Sequence, residues 1–336
     1  MGDSHITKND IIRLYQQPGH PIAFSSPQTI HRFFKGKVSL RVIREALEHI
    51  NSYTLHREYK KPKFFNPYFA YQRRTFFQAD LIDIRQLKNS NDNITYLLVV
   101  IDVFSRKIWV VPMTQKTAAA THSALLAWIN AVKTDDIEGE GEKRFLLTDN
   151  GKEFVNMQVR RLLEQNNMHL STTKNINKAA IVERANKSLQ VLIYKYLTDR
   201  EITRYIDALS SLVRTYNGRK HRGIQFLSPN EADLRENEVR VRTVHSDRVG
   251  KLLTDTKKQK AKFAVGNIVR IKTYATGVNP ARRAYTRQFH GELFKVVEVK
   301  KRMPVIMYVL QSVERGDIIE GAFYANEITR VRNNVS

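Results

Sequence analysis

The hydrophobic pattern of the 336-residue chain begins with a helical period. The stretch SLRVIREALEHI puts five apolar residues on one helical face: Leu40, Ile43, Ala46, Leu47 and Ile50. Before it, TKNDIIRLYQQ starts with a possible N-cap, Thr7 or Asn9, and the intervening GHPIAFSSPQ breaks the pattern with Gly and Pro. Residues 1–56 are therefore predicted to form an N-terminal helical module of two or three helices.

From Thr75 the apolar residues alternate with period two, which predicts a β-strand in TFFQADLIDI. This strand places Asp80 on one face and Asp83 on the other. ITYLLVVIDVF is a nearly continuous apolar run, typical of a buried central strand, and SRKIWVVPM follows closely enough to form a hairpin with it. Helical and strand patterns then alternate to about residue 235. This order predicts an α/β core over 75–235, in which helices cover a mixed sheet.

Two segments flank this core. Residues 57–74 are basic, aromatic and twice interrupted by proline, and are predicted to be an extended linker that can follow phosphates and stack on bases. Residues 236–262 are polar and charged, which predicts a second linker. Short strand patterns with Gly and Pro between them then predict a small β-barrel over 263–334.

The net charge of +23, with a pI near 10.1, favours a polyanionic partner, and nucleic acid is the first choice. A solvated basic surface without a partner is the alternative. The chain has 0 cysteines, which excludes disulfides and cysteine-ligated zinc. No apolar run is long enough for a membrane span, and MGDSHITKND lacks the apolar stretch of a signal peptide, so we expect no membrane association. Eight linker residues are expected to contact DNA: Lys60, Lys61, Lys63, Arg73, Arg74, Lys257, Lys258 and Lys260.

Two aspartates occupy unusual positions in the predicted strands. Asp80 lies in the middle of the first strand, and Asp149 ends the fourth, in LLTDNGKEF. Aspartate is depleted in strands, and a buried carboxylate is costly unless a cation or hydrogen-bond donors compensate it. Asn150 and Gly151 suit a sharp turn after Asp149, so a simple turn is the alternative to a metal-binding carboxylate.

A third carboxylate, Glu183, comes early in the predicted long helix AAIVERANKSLQVLIYKYL. Lys187 follows it by four residues on the same polar stripe, and on spacing alone a surface ion pair is the simpler interpretation. If Glu183 converges with Asp80 and Asp149, the three form an oxygen-ligand site for Mg²⁺. Two such ions could clamp an in-line phosphoryl transfer.

Five stretches in order give the region from Thr75 to about Ala232 a family resemblance: FFQADLID, YLLVVIDVFSRKIWVVPMTQKTAAAT, LLTDNGKEF, AAIVERANKSL and YNGRKHRGIQFLSPNEA. This region resembles the catalytic core of retroviral and retrotransposon integrases. The resemblance implies a ribonuclease-H-like fold and a catalytic triad of Asp80, Asp149 and Glu183 that binds two Mg²⁺ or Mn²⁺ ions. It also implies 3′-end processing and strand transfer on double-stranded DNA, with Asn150 and Lys187 near the DNA.

The flanking segments look most like those of Maverick/Polinton-type transposon integrases, and the C-terminal part is similar to small Src-homology-like or chromodomain-like barrels. Joining two DNA ends implies a homo-multimer, and access to the substrate implies a nuclear protein. A non-catalytic domesticated DNA-binding protein and a structure-specific nuclease on the same fold are the alternatives. Two further aspartates compete for a catalytic role: Asp83 faces away from Asp80, and Asp102 is expected to cap the turn after the second strand.

Overall fold

In the computed structural model, the described residues are 6–58, 64–66, 68–135, 143–173, 180–257, 259–273, 286–301 and 304–332. The chain divides into two compact units. One unit combines the two ends of the sequence, Met1–Asn66 and Thr256–Ser336, and the other is the central Pro67–Asp255. None of the helices in the described part of the chain has the length and apolar composition that a membrane span requires.

The first unit begins with four short helices: α1 (Lys8–Gln16), α2 (Pro27–Phe33), α3 (Leu40–Leu47) and α4 (Asn51–His56). The Thr7 side chain caps α1, and Asp10 completes a capping box by accepting from the Thr7 backbone N–H. The predicted apolar face of α3 is confirmed, because Ile43, Ala46 and Leu47 are fully buried.

The central unit contains a five-stranded mixed sheet built from β1 (Phe76–Asp83), β2 (Tyr96–Asp102), β3 (Ile108–Met113), β4 (Arg144–Asp149) and β5 (Met168–Thr173). The strand order is β3-β2-β1-β4-β5. The strands β1, β2 and β3 form the predicted antiparallel meander, whereas β4 is parallel to β1, and β5 is parallel to β4. The expected α/β fold with a mixed sheet is confirmed.

Helices cover both faces of this sheet. On one face α5 (Ala118–Asp135) and α6 (Met157–Gln165) bury Phe77 and Ala79 of β1 around Trp128. On the other face α7 (Ala180–Arg200) and α8 (Leu209–Gly218) pack on Ile82. The side chains of β1 therefore alternate between the two faces of the sheet, as the period-two pattern predicted. Asp80 shares the face of Ile82, which α7 covers.

The prediction of a linker over residues 236–262 is wrong for most of that range. After the short helix α9 (Pro229–Ala232), residues Glu238–Thr256 form the helix α10. Val241 of α10 packs into an apolar cluster with Val103 and Phe104, and Val244 and His245 are buried beside it. Their i, i+3, i+4 spacing is helical, but the many charged residues between them obscure the pattern.

The remaining strands are β6 (Ile268–Ile271), β7 (Phe294–Lys300), β8 (Met307–Ser312), β9 (Phe323–Tyr324) and β10 (Ile328–Arg330). They form a second, antiparallel five-stranded sheet in the order β10-β6-β7-β8-β9, as the strand-rich pattern indicated. The N-terminal helices belong to the same unit: the Leu55 carbonyl accepts from the Gln288 and Phe289 backbone N–H groups, and Arg332 pairs with Glu48 at 2.9 Å.

Candidate active site

Asp80 lies half-buried in the middle of β1, on the face toward α7. Its Oδ1 accepts from the Leu81 backbone N–H at 2.9 Å, and its Oδ2 accepts from Nδ2 of Asn186 at 2.9 Å. Asn186 belongs to α7 and is itself buried. The contact therefore fixes Asp80 against the helix that carries Glu183.

The strand register brings Asp149 beside Asp80. Gln78 of β1 pairs with Leu147 in the parallel β4, so two residues further along both strands Asp80 and Asp149 lie side by side. Asp149 ends β4, and its Oδ1 accepts from the Gly151 N–H at 3.1 Å, which stabilises the turn. Asp149 can therefore stabilise the turn after β4 and still present its carboxylate beside Asp80.

Glu183 is an exposed residue in the first turn of α7, and Gln78 holds that turn in place. The Gln78 side chain is fully buried, and its Oε1 accepts from the backbone N–H groups of Ile181 and Val182, both at 3.2 Å. These N–H groups have no partner within the helix, because they belong to its first turn. Strand β1 therefore anchors the start of the helix on which Glu183 lies.

Asp149 and Glu183 are both near enough to Asp80 to influence its ionisation. Burial raises the pKa of Asp80 to about 6; the hydrogen bond from Leu81 opposes the rise, and the negative charges of Asp149 and Glu183 add to it. Lys116 lowers the pKa of Asp80. Its ammonium group also forms an ion pair with the buried Glu153, with 2.9 Å between Nζ and Oε1. Lys116 is thus a cation at the edge of an acidic site.

The donor types at this site suit a divalent metal, although no three His, Cys, Asp or Glu side chains in the described part of the chain lie close enough together to enclose an ion in this structure. The donors are carboxylate oxygens, which hard cations such as Mg²⁺ prefer. The buried Oδ1 of Asn186 accepts no hydrogen bond from any described group. The raised pKa of Asp80 reflects burial first and the like charges of Asp149 and Glu183 second, and a bound cation would offset both.

Both rival aspartates have structural roles. Asp83 is exposed and forms a two-bond ion pair with Arg85, in which Oδ2 lies 2.6 Å from Nη2. Asp102 ends β2 and is fully buried, where it accepts from the backbone N–H groups of Phe104 and Ser105 and from the Ser105 hydroxyl. The prediction that Asp102 caps the turn after the second strand is confirmed.

The residues expected to contact DNA fall into four groups. The prediction for Arg74 is wrong. Its guanidinium is buried and donates to both carboxylate oxygens of Asp233, at 3.0 and 2.5 Å, so it cannot reach a phosphate. Arg73 is half-buried beside the Asp233 carbonyl. The exposed residues are Asn150, Lys187, Lys257 and Lys260. Lys60, Lys61, Lys63 and Lys258 lie outside the described residues.

Sequence patterns missed three residues of this site: Gln78, Asn186 and Lys116. Gln78 carries a weak signal, since a glutamine two residues before Asp80 on the same strand face must be buried. Asn186 lies about one helical turn after Glu183, and this spacing indicates that the two residues share a helix face. Lys116 follows β3 in a loop, and nothing in the local sequence points to its place near the carboxylates.

A five-stranded mixed sheet in this order, with an acidic site at its centre, defines the ribonuclease-H-like class of folds. Residues 73–178 match the family described as "Integrase core domain". The chain is also similar to a transposon-derived protein of Caenorhabditis elegans, with 35% identity over 137 residues, 41% of this chain and 46% of that protein. It thus spans about half the length of this relative.

The chain is similar in structure to one from the simian T-cell lymphotropic virus intasome, solved in complex with a PP2A regulatory subunit. The TM-score is 0.57 at 18% identity, covering 92% of this chain and 100% of the viral chain, which supports the shared fold. The HTLV-2 integrase catalytic core domain, solved with magnesium, gives a TM-score of 0.38 at 21% identity, over 48% of this chain and 98% of that domain. At that level the similarity supports no conclusion about the site.

Proposed function

We propose that the protein is a DNA integrase that trims the 3′ ends of a mobile element and joins them to target DNA. The observation that carries this proposal is that Asp149, on the strand next to β1, and Glu183, on the helix over it, both lie within electrostatic range of Asp80. Asp80 and Asp149 lie within the region that matches the integrase core domain family, Glu183 follows it by five residues, and the chain is similar to a transposon-derived protein. The reaction class is phosphodiester transfer between DNA strands.

The three carboxylates would hold the divalent ions, Mg²⁺ or Mn²⁺, and we propose two of them. Such ions supply activation of the attacking hydroxyl and neutralisation of the charge that develops on the phosphodiester. The protein's own groups do the positioning: Asn186 and the Leu81 N–H fix both oxygens of Asp80, and Gln78 fixes the helix of Glu183. A pre-oriented site of this kind does not need to reorganise during the reaction.

Lys187 lies four residues after Glu183 on α7, exposed on the same side of the helix. We propose that it contacts a phosphate near the scissile bond. Asn150, next to Asp149, is placed to contact the same strand, and Arg73, Lys257 and Lys260 would contact the backbone elsewhere. These contacts read no base edges, so they fix the position of the DNA rather than its sequence.

The experiment that tests the proposal is a joining assay in Mg²⁺. The substrate is a pool of blunt duplexes with randomised terminal base pairs, joined into a plasmid and read by sequencing the junctions. Asp80→Asn should abolish joining and leave DNA binding intact. Asp83→Asn is the matched control, because it removes a carboxylate from the same strand but from the opposite face, and it should join like wild type. Joining by Asp80→Asn would refute the assignment.

The same assay separates the alternatives. A structure-specific nuclease would cut the duplexes and give no plasmid junctions, and a domesticated DNA-binding protein would give neither cuts nor junctions. An integrase must bring two ends together, so we propose a homo-multimer on DNA. A nuclear location follows from the substrate. The Maverick/Polinton subtype stays a proposal that rests on the flanking sequences.

A further inference from the structure

The turn between β2 and β3 carries an arginine in an unusual setting. Arg106 has a left-handed backbone, with φ of 67°, although it is not glycine. Its Nη1 atom is buried and makes no hydrogen bond to any described group. Strained non-glycine residues and unpaired buried donors are both unfavourable, and they persist in proteins mainly where a function requires them.

The charged neighbours of Arg106 are mostly cations. Burial, with the positive charges of Arg248 on α10 and Arg184 on α7, lowers the pKa of Arg106 to about 10. Asp102 is the acid that acts in the opposite direction, and its oxygens already accept bonds from the turn itself. The turn, α10 and α7 meet in one apolar cluster, in which Val103 and Phe104 of the turn pack with Val241 of α10 and Ile181 of α7. Arg248 and Arg184 each follow these contacts by one or two helical turns on the same side of their helices.

These three arginines form no salt bridge with any carboxylate in the described ranges. Arg248 is nevertheless positioned: its Nη2 donates to the Arg222 carbonyl at 3.4 Å. Like charges that gather without acidic partners repel one another, and an anion between them would reverse that cost. Arginine suits this role, because its planar donors match the oxygens of a phosphate.

We propose that Arg106, Arg184 and Arg248 form a binding site for backbone phosphates of DNA. This inference rests on the proposed function and deepens it, because it adds a DNA contact beside the catalytic carboxylates. Arg184 directly follows Glu183 at the start of α7, so the proposed site would lie next to the helix turn that carries a catalytic carboxylate. The site reads the backbone and therefore gives no sequence preference.

The test measures binding of a fluorescent 30-base-pair duplex to the full chain across a salt series. Arg184 and Arg248 are exposed, so the double variant Arg184→Gln/Arg248→Gln keeps the fold, and Arg106→Gln is the second variant. Each lost phosphate contact should lower the magnitude of the slope of log K against log salt by about 0.9. Arg214→Gln is the control, since it removes an exposed arginine of α8 that bonds only to Ser211 among the described residues.

A slope that falls in the double variant but stays at the wild-type value in Arg214→Gln supports the site. An unchanged slope in the double variant overturns it, even if the plasmid-joining assay succeeds with wild type. Failure of the proposed function has a different signature, because wild type itself would then give no junctions that depend on Asp80. The same variants therefore distinguish failure of the arginine site from failure of the integrase function.

Discussion

Arg74 and Asp233 form a buried ion pair that ties the start of the core to the residue after α9. Lys107 adds a third bond, with Nζ 3.0 Å from the Asp233 carboxylate. From the sequence, Arg74 was indistinguishable from its basic neighbours, because burial depends on contacts with residues far along the chain. A basic stretch therefore predicts DNA contacts only for those of its residues that the folded structure leaves exposed.

Arg74→Met should lower the free energy of unfolding by about 3–5 kcal/mol, because it removes a partner from a buried charge pair. The measurement is urea unfolding at neutral pH. The control is Arg85→Met, which breaks the exposed Arg85–Asp83 pair and should cost at most about 1 kcal/mol. Equal effects of the two substitutions would contradict the buried role of Arg74.

His245 supplies a pH prediction. Burial lowers its pKa from 6.5 to about 4, and the charges of Arg106 and Arg248 add to this, while its Nε2 donates to the Phe104 carbonyl at 3.0 Å. The unfolded chain binds a proton below pH 6.5 and the folded chain does not, so stability is lost as pH falls from 6.5 toward 4. The loss should reach at most about 3 kcal/mol.

His245→Gln keeps a donor for the Phe104 carbonyl but cannot titrate. Chemical denaturation at several pH values between 4 and 7 should show a shallower pH dependence in this variant than in wild type. The same slope for both proteins would show that His245 is not the group responsible.

At the scale of elements, the candidate active site depends on the connection between β1 and α7. Gln78→Leu removes the acceptor of two backbone N–H groups, each of which costs about 1–3 kcal/mol when buried without a partner. Hydrogen exchange at Ile181 and Val182 should accelerate, and joining should slow while DNA affinity is unchanged. Gln78→Glu retains the acceptor and should restore the slow exchange. Unchanged exchange in Gln78→Leu would contradict the anchoring role.

The sequence predicted the elements whose signal is local. The alternation around Asp80 gave β1 and its two faces, and the apolar run after Ile94 gave β2. It missed α10, since buried Val241 and His245 are separated by charged residues, and apolar content alone resembles that of a linker. The three carboxylates could be chosen from their positions, but the contacts of Gln78 and Asn186 depend on how α7 packs on the sheet.

At the scale of the whole molecule, the 56 lysines and arginines outnumber the 33 acidic residues and leave a net charge of +23, which a polyanionic partner would neutralise. Binding to duplex DNA should therefore weaken steeply with salt. With 6–10 phosphate contacts, affinity should fall by about 10³–10⁵ between 50 and 200 mM salt. The measurement is fluorescence anisotropy over that range. A weak salt dependence would contradict a DNA-binding role for the basic surface.

The central claim is that Asp80, Asp149 and Glu183 act as one catalytic centre, and Glu183 tests it most directly because it is the exposed member on a separate helix. The decisive measurement is the count of plasmid junctions formed in Mg²⁺ by Glu183→Gln and by the control Glu164→Gln, an exposed glutamate on α6. We predict no junctions above background for Glu183→Gln and a wild-type count for Glu164→Gln, with equal DNA affinity. A wild-type junction count for Glu183→Gln would contradict the account.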